Sequence, residues 1–139
     1  MESYMSFIKR SFTVLLLTFS CATYASAHLS QQEKLEKTRY FSIGMNGFVG
    51  KISDGEKIYR EIIKGSNAEK TFINIFKGEN STNEAKLYAA CGLYALNSKE
   101  LDSLPHENNN EYVTLLQGDI LYKKRFNDVI KSIKSNGCD

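Results

Sequence analysis

The chain has 139 residues, with 18 lysines and arginines against 16 aspartates and glutamates, and a formal net charge of +2 at pH 7. Charge this balanced leaves no electrostatic footprint for nucleic acid and no polybasic run suited to a lipid surface. The length fits one domain burying roughly two-thirds of the surface of its unfolded chain, which allows a modest core.

The N-terminus has the pattern of a targeting segment. Lys9 and Arg10 supply a positive region, residues 12–19 an apolar one, and Ala25-Ser26-Ala27 the small residues of a cleavage site. Residues 1–27 are therefore expected to be a signal peptide and residues 28–139 a single mature domain. The apolar run falls short of the about 20 residues that cross a bilayer, so no permanent span is expected after cleavage. Cys21 offers an alternative lipoprotein site, although Phe19 is bulky where such sites prefer leucine and small residues. The expected location is periplasmic or secreted. Without Glu2, Lys9 and Arg10 the chain keeps 16 basic and 15 acidic residues.

In chain order, residues 30–42 open the expected domain, with Ser30 and Glu33 spaced as a capping box. Leu35, Tyr40, Phe41 and Ile43 place its apolar character late. Residues 44–50 hold three glycines among Met45, Phe48 and Val49. A phosphate-cradling loop needs a preceding strand and a Lys-Ser/Thr ending. No strand precedes this one and Lys51 is followed by Ile52, so a close-packed helix end or turn is expected.

Three Ser-x-x-Glu patterns follow at Ser53–Glu56, Ser66–Glu69 and Ser81–Glu84, each the signature of a helix start. The first leads to Ile58, Tyr59, Ile62 and Ile63 before Gly65, and the second to Phe72, Ile73, Ile75 and Phe76 before Gly78. Glycine just past each helix suits a left-handed C-terminal cap. The third opens residues 84–96, apolar on every side from Leu87 onward, as expected of a helix packed on several sides at once. Its Ala89, Ala90, Gly92 and Ala95 permit close backbone approach.

Residues 98–104 predict one short helical turn before Pro105, and residues 106–111 an exposed polar loop. His106 has no second ligand at metal-binding spacing. Residues 112–122 read as a helix ending near Gly118, with a minor β-hairpin as the alternative, since an isolated hairpin is marginal. A last helix over 122–135 puts Phe126, Val129, Ile130 and Ile133 on one stripe. The expected fold is all-α: a small irregular bundle of five to six short helices around a buried central helix at 84–96.

The mature chain keeps two cysteines, Cys91 and Cys138, and an isolated pair in an oxidising compartment predicts a disulfide. No catalytic or metal-binding constellation is legible: no HExxH, CxxC, nucleotide motif or histidine beside a nucleophile. Glu33, Glu56, Glu69 and Glu84 are accounted for as caps, and Asp54, Glu61 and Asp102 as solvated faces. The tyrosines at 40, 59, 88, 94, 112 and 122 are expected at the edge of the core with their hydroxyls in water.

A small exported helical domain without catalytic residues, and without cofactor or metal, points to binding of another protein. An immunity protein or inhibitor against an envelope-acting toxin or hydrolase is the concrete version. The alternatives are a structural or accessory component of an envelope or secretion assembly, and a carrier of a small apolar ligand. The surface expected to meet the partner is the polar stretch Glu107, Asn108, Asn109, Asn110, Glu111 and Tyr112.

Overall fold

A computed structural model describes residues 29–104 and 111–138. The expected signal peptide, Cys21, both histidines and four of the six expected partner-binding residues, Glu107 to Asn110, lie outside the described residues. No described helix is long and apolar enough to cross a membrane.

The chain is mixed α and β, which corrects the all-α expectation. In order come α1 (Gln31–Glu36), β1 (Met45–Asn46), β2 (Lys51–Ile52), α2 (Asp54–Ile62), α3 (Ala68–Lys77), α4 (Asn83–Ala95), α5 (Glu100–Ser103), β3 (Tyr112–Gln117), β4 (Ile120–Arg125) and α6 (Phe126–Asn136). The strands form two antiparallel pairs, β1 with β2 and β3 with β4.

The second pair is the hairpin that the sequence reading set below a helix. Val113 and Leu115 are buried while Tyr112 is exposed and Thr114 and Leu116 are half-buried, the period-2 alternation of a strand with one face covered. Gln117 pairs with Ile120 across a two-residue turn in which Gly118 has a φ of 62°. A tight hairpin of this hand needs a positive φ at its first turn residue, which glycine supplies without a Cβ clash. The hairpin is not isolated. Phe41 N–H donates to the Thr114 carbonyl at 2.8 Å and Leu116 N–H to the Phe41 carbonyl at 2.9 Å, so Phe41 is a one-residue third strand beside Leu115. Glu84 on α4 accepts the Thr114 N–H at 2.8 Å.

The glycine-rich stretch is a second hairpin: of the expected helix end or turn, the structure has the turn, at residues 47–50, but between two short strands and not close-packed. Met45 pairs with Ile52 and Asn46 with Lys51, and the turn between them points Phe48 into open solvent.

The core is built on α4, as expected. Leu87, Tyr88, Ala89, Ala90, Cys91, Gly92 and Leu93 are all buried. Leu35, Phe72, Ile75 and Phe76 from α1 and α3 and Val113 from β3 pack around it, with the Phe126, Val129, Ile130 and Ile133 stripe of α6. Gly92 lies against the Phe72 ring, and a Cβ there would sit well inside contact distance of three ring carbons. Gly→Ala within a helix ordinarily stabilises by about 0.5–1 kcal/mol. Here overpacking reverses the sign: Gly92→Ala is expected to destabilise by about 1–3 kcal/mol in urea unfolding, and a neutral or stabilising result would show that the ring moves aside freely.

Only one of the four Ser-x-x-Glu patterns is a full capping box. At Ser30, Glu33 N–H donates to the serine hydroxyl and Ser30 N–H to the carboxylate at 2.7 Å. Hydrogen bonding of the carboxylate to the Ser30 backbone first, and to its side chain second, holds the Glu33 carboxyl below its usual pKa. Ser53 caps α2, but Glu56 reaches away from it. The caps of α3 and α4 fall on Asn67 and Thr82, one residue beyond the expected serines. Gly78 ends α3 in extended backbone, φ −69°, not in the left-handed cap expected of it.

Candidate interaction surface

The two hairpins meet at their tips. Gly47 N–H donates to the Gly118 carbonyl at 3.2 Å, and a Cβ on Gly47 would come within 2.9 Å of Asp119 Oδ1. Around this junction stand Met45 at 79% exposure, Phe48 at 103%, Val49 at 78%, Ile120 at 68% and Leu121 at 59%. Single exposed apolar residues are ordinary on any surface. Five large ones within three residues of one hydrogen-bonded glycine pair make this junction the candidate surface.

A buried polar cluster fixes the first hairpin in place. The Tyr88 hydroxyl donates to the Ser42 carbonyl at 2.9 Å and accepts the Ser42 N–H at 3.0 Å. Ser53 Oγ lies 3.1 Å from the same hydroxyl and accepts Glu56 N–H. Glu56 is fully buried, takes the Gly44 N–H at 2.8 Å, and pairs with Arg60 at 2.7 Å. Gly55 makes room for this arrangement, since a Cβ there would meet the Tyr88 ring at 2.8 Å. Burial, foremost, pushes the Tyr88 phenol up to about 12. Tyr88 is thus a core residue hydrogen-bonded to protein, not an edge tyrosine with its hydroxyl in water. Backbone groups at both ends of the Ser42–Gly44 link have buried partners, so the tip above them is held rather than adrift.

The second hairpin is held at its base. Glu111 accepts a hydrogen bond from Asn83 Nδ2, and its carbonyl takes the Phe126 N–H at 2.9 Å. Tyr112 is exposed and lies opposite Arg125, whose pKa is raised by hydrogen bonding to that tyrosine. Glu111 and Tyr112, the two expected partner-binding residues that are described, therefore sit at the hairpin base, at the far end of β3 from the turn.

On the inward side of this hairpin lies an open cleft of about 410 Å³, lined by Phe41, Leu115, Tyr122, Lys124, Val129 and Ile133 among others. Gly137 and Cys138 close its end, beside the disulfide. Cys91 and Cys138 lie at disulfide distance, 1.95 Å between sulfurs, as the cysteine count predicted. Among the described residues no three His, Cys, Asp or Glu side chains converge as a metal site.

The tip residues are not legible as a surface in the sequence, because an apolar residue beside glycine has the same local pattern whether it packs or projects. The available signal was the pairing of two glycine turns, 47–50 and 118–119, each flanked by apolar residues. No protein-family model, curated protein or solved structure matches the chain.

Proposed function

We propose that the protein is an exported protein-binding domain that engages its partner through the joined hairpin tips. The concrete form is an inhibitor or immunity protein that covers the working surface of an envelope-acting toxin or hydrolase. The observation that carries this reading is the exposure of Met45, Phe48, Val49, Ile120 and Leu121 around one backbone hydrogen bond. Apolar and aromatic anchors presented on a preorganised support cost little entropy on binding, and such anchors dominate interface energies. The disulfide and the leader pattern favour an oxidising compartment outside the cytoplasm.

A photo-crosslinking residue placed at Phe48 tests the proposal in the native cells, with the same probe at exposed Lys64 as the remote control. A single stoichiometric protein adduct from position 48 and none from 64 is expected. Phe48→Asp is then expected to weaken binding of that partner by about 30-fold or more, the range of an interface hot spot, with stability unchanged. Equal adducts from both positions, or none, would remove the protein-binding reading. The cleft beside α6 favours carriage of a small apolar ligand as the second reading. Native mass spectrometry showing a retained lipid-sized mass, with no adduct at Phe48, would select it.

A further inference from the structure

The outer edge of β4 is directed away from every described backbone. Thr114 and Leu116 turn their hydrogen-bonding groups toward Phe41, so Val113, Leu115 and Gln117 turn theirs toward β4. In an antiparallel pair the groups of successive residues alternate between the two sides of a strand. The register matches Val113 with Lys124, Leu115 with Tyr122 and Gln117 with Ile120. The N–H and C=O groups of Leu121 and Lys123 and the N–H of Arg125 therefore point out of the sheet with no backbone partner among the described residues, while the Arg125 carbonyl is turned into the first turn of α6, which it caps. All six residues of β4 are exposed.

This edge is chemically divided. Ile120, Leu121 and Tyr122 are apolar or aromatic, and Lys123, Lys124 and Arg125 are three consecutive cations. The nearby carboxylates sit off the strand: Asp119 in the turn, Asp128 in the first turn of α6, and Glu111 held by Asn83. Lys123 is laid across the sheet onto Thr114 Oγ1 at 2.6 Å, so its ammonium rests over the face of the hairpin, one strand in from the edge. Lysines on an edge strand also deter aggregation, but a guard explains only half of the strand. The other half, Ile120 to Tyr122, leaves the edge sticky and continuous with the tip surface.

We infer that the edge of β4 receives an extended segment of the partner by strand addition, acidic opposite Lys123–Lys124–Arg125 and apolar opposite Ile120–Leu121–Tyr122. This rests on the protein-binding reading above and names how part of that surface is used. Main-chain bonds to Leu121, Lys123 and Arg125 give the strand its hold, and the divided side chains give it direction. Antiparallel addition places the acidic triplet first, so the complementary segment reads acidic-acidic-acidic-apolar-apolar-apolar from its N-terminus. A second copy of β4 does not fit, because its six residues include no carboxylate.

The test uses the oxidised chain and a capped synthetic peptide, Glu-Asp-Glu-Val-Phe-Val, followed by amide hydrogen exchange. Exchange at Leu121, Lys123 and Arg125 is expected to slow at least about tenfold, as when an edge amide gains a partner, with no added protection at Ile120, Tyr122 and Lys124. Moderate salt is expected to weaken binding by roughly tenfold. A Lys-Lys-Lys-Val-Phe-Val peptide, and the acidic peptide N-methylated at alternate residues, are expected not to protect the edge. Leu121→Pro removes one outward N–H and leaves the β3 ladder intact, so it is expected to lose the peptide. Should that variant misfold, the N-methylated peptide on the unaltered chain decides the same point. Absence of protection at the three amides, equal binding of the basic peptide, or protection that rises with protein concentration alone would overturn the inference. If the peptide fails while the Phe48 adduct persists, the edge inference falls and the protein-binding reading stands.

Discussion

Reducing the Cys91–Cys138 bridge is expected to lower the unfolding free energy by about 4 kcal/mol. The bridged residues are 47 positions apart, so the bond removes the freedom of about a third of the chain from the unfolded ensemble. Cys91 sits in the buried face of α4, and the bridge pins the end of α6 to it. A terminus without such a tie ordinarily frays. The buried α6 stripe, Phe126 to Ile133, is independent of the bond, so the helix survives reduction and its last turn opens. Gly137, which lies against the Tyr94 ring, moves with it, and the cleft loses its far wall. For a domain of this size the melting temperature should drop by roughly 15–25 °C. Thermal and urea unfolding with and without reductant, repeated on Cys138→Ala, measure it. A loss below about 1 kcal/mol would mean that the unfolded chain is already compact around this pair.

Which parts of this fold are legible in the sequence follows from how far each support lies along the chain. The helix α4 declares itself because its own residues are apolar all round, and α6 because its stripe has helical spacing. The disulfide is legible by count, since only Cys91 and Cys138 remain beyond the leader pattern. The β3–β4 hairpin carries its alternation openly at Val113 and Leu115. Its stability, however, comes from Phe41 and Glu84, remote residues that no local pattern names. The Ser-x-x-Glu patterns mislead for the same reason. Three of their four carboxylates have longer-range partners: Glu56 holds Gly44, Glu69 holds Ser98, and Glu84 holds Thr114. Local propensity placed the helices within a few residues, while tertiary partners decided what each carboxylate does. The candidate surface at the hairpin tips is the least legible element. Phe48 beside glycine carries the same local signature whether it packs or projects, and only the contact between two distant turns makes it project.

Tyr88 is where the core and that surface meet, and its loss should be felt in both. Tyr88→Ala is expected to cost about 3–5 kcal/mol, the range for emptying a buried aromatic site. The ring packs 4.8 Å from that of Phe41 and 6.1 Å from that of Tyr59, centroid to centroid. Tyr88→Phe keeps those contacts and removes only the hydroxyl, leaving the Ser42 N–H unpartnered, and should cost about 1–3 kcal/mol. The phenol also sets an alkaline limit. Burial raises its pKa from the ordinary phenol value of about 10 to about 12, so the folded state holds the proton more tightly than the unfolded chain does. The resulting stabilisation is complete below about pH 10 and is lost as pH rises toward 12, about 2–3 kcal/mol in all. In wild-type protein the tyrosinate absorbance should include a late step near pH 12 that accompanies loss of structure. In Tyr88→Phe that step should vanish, and unfolding between pH 10 and 12 should lose its dependence on this group. An alkaline profile identical in the two proteins would show that the hydroxyl is not the group that the fold protects. Because Ser42 joins Phe41 to the base of the first hairpin, Tyr88→Phe should also loosen the Phe48 tip. Hydrogen exchange at residues 44–52 would then speed up with the core amides of α4 unchanged, which separates loss of the anchor from general destabilisation.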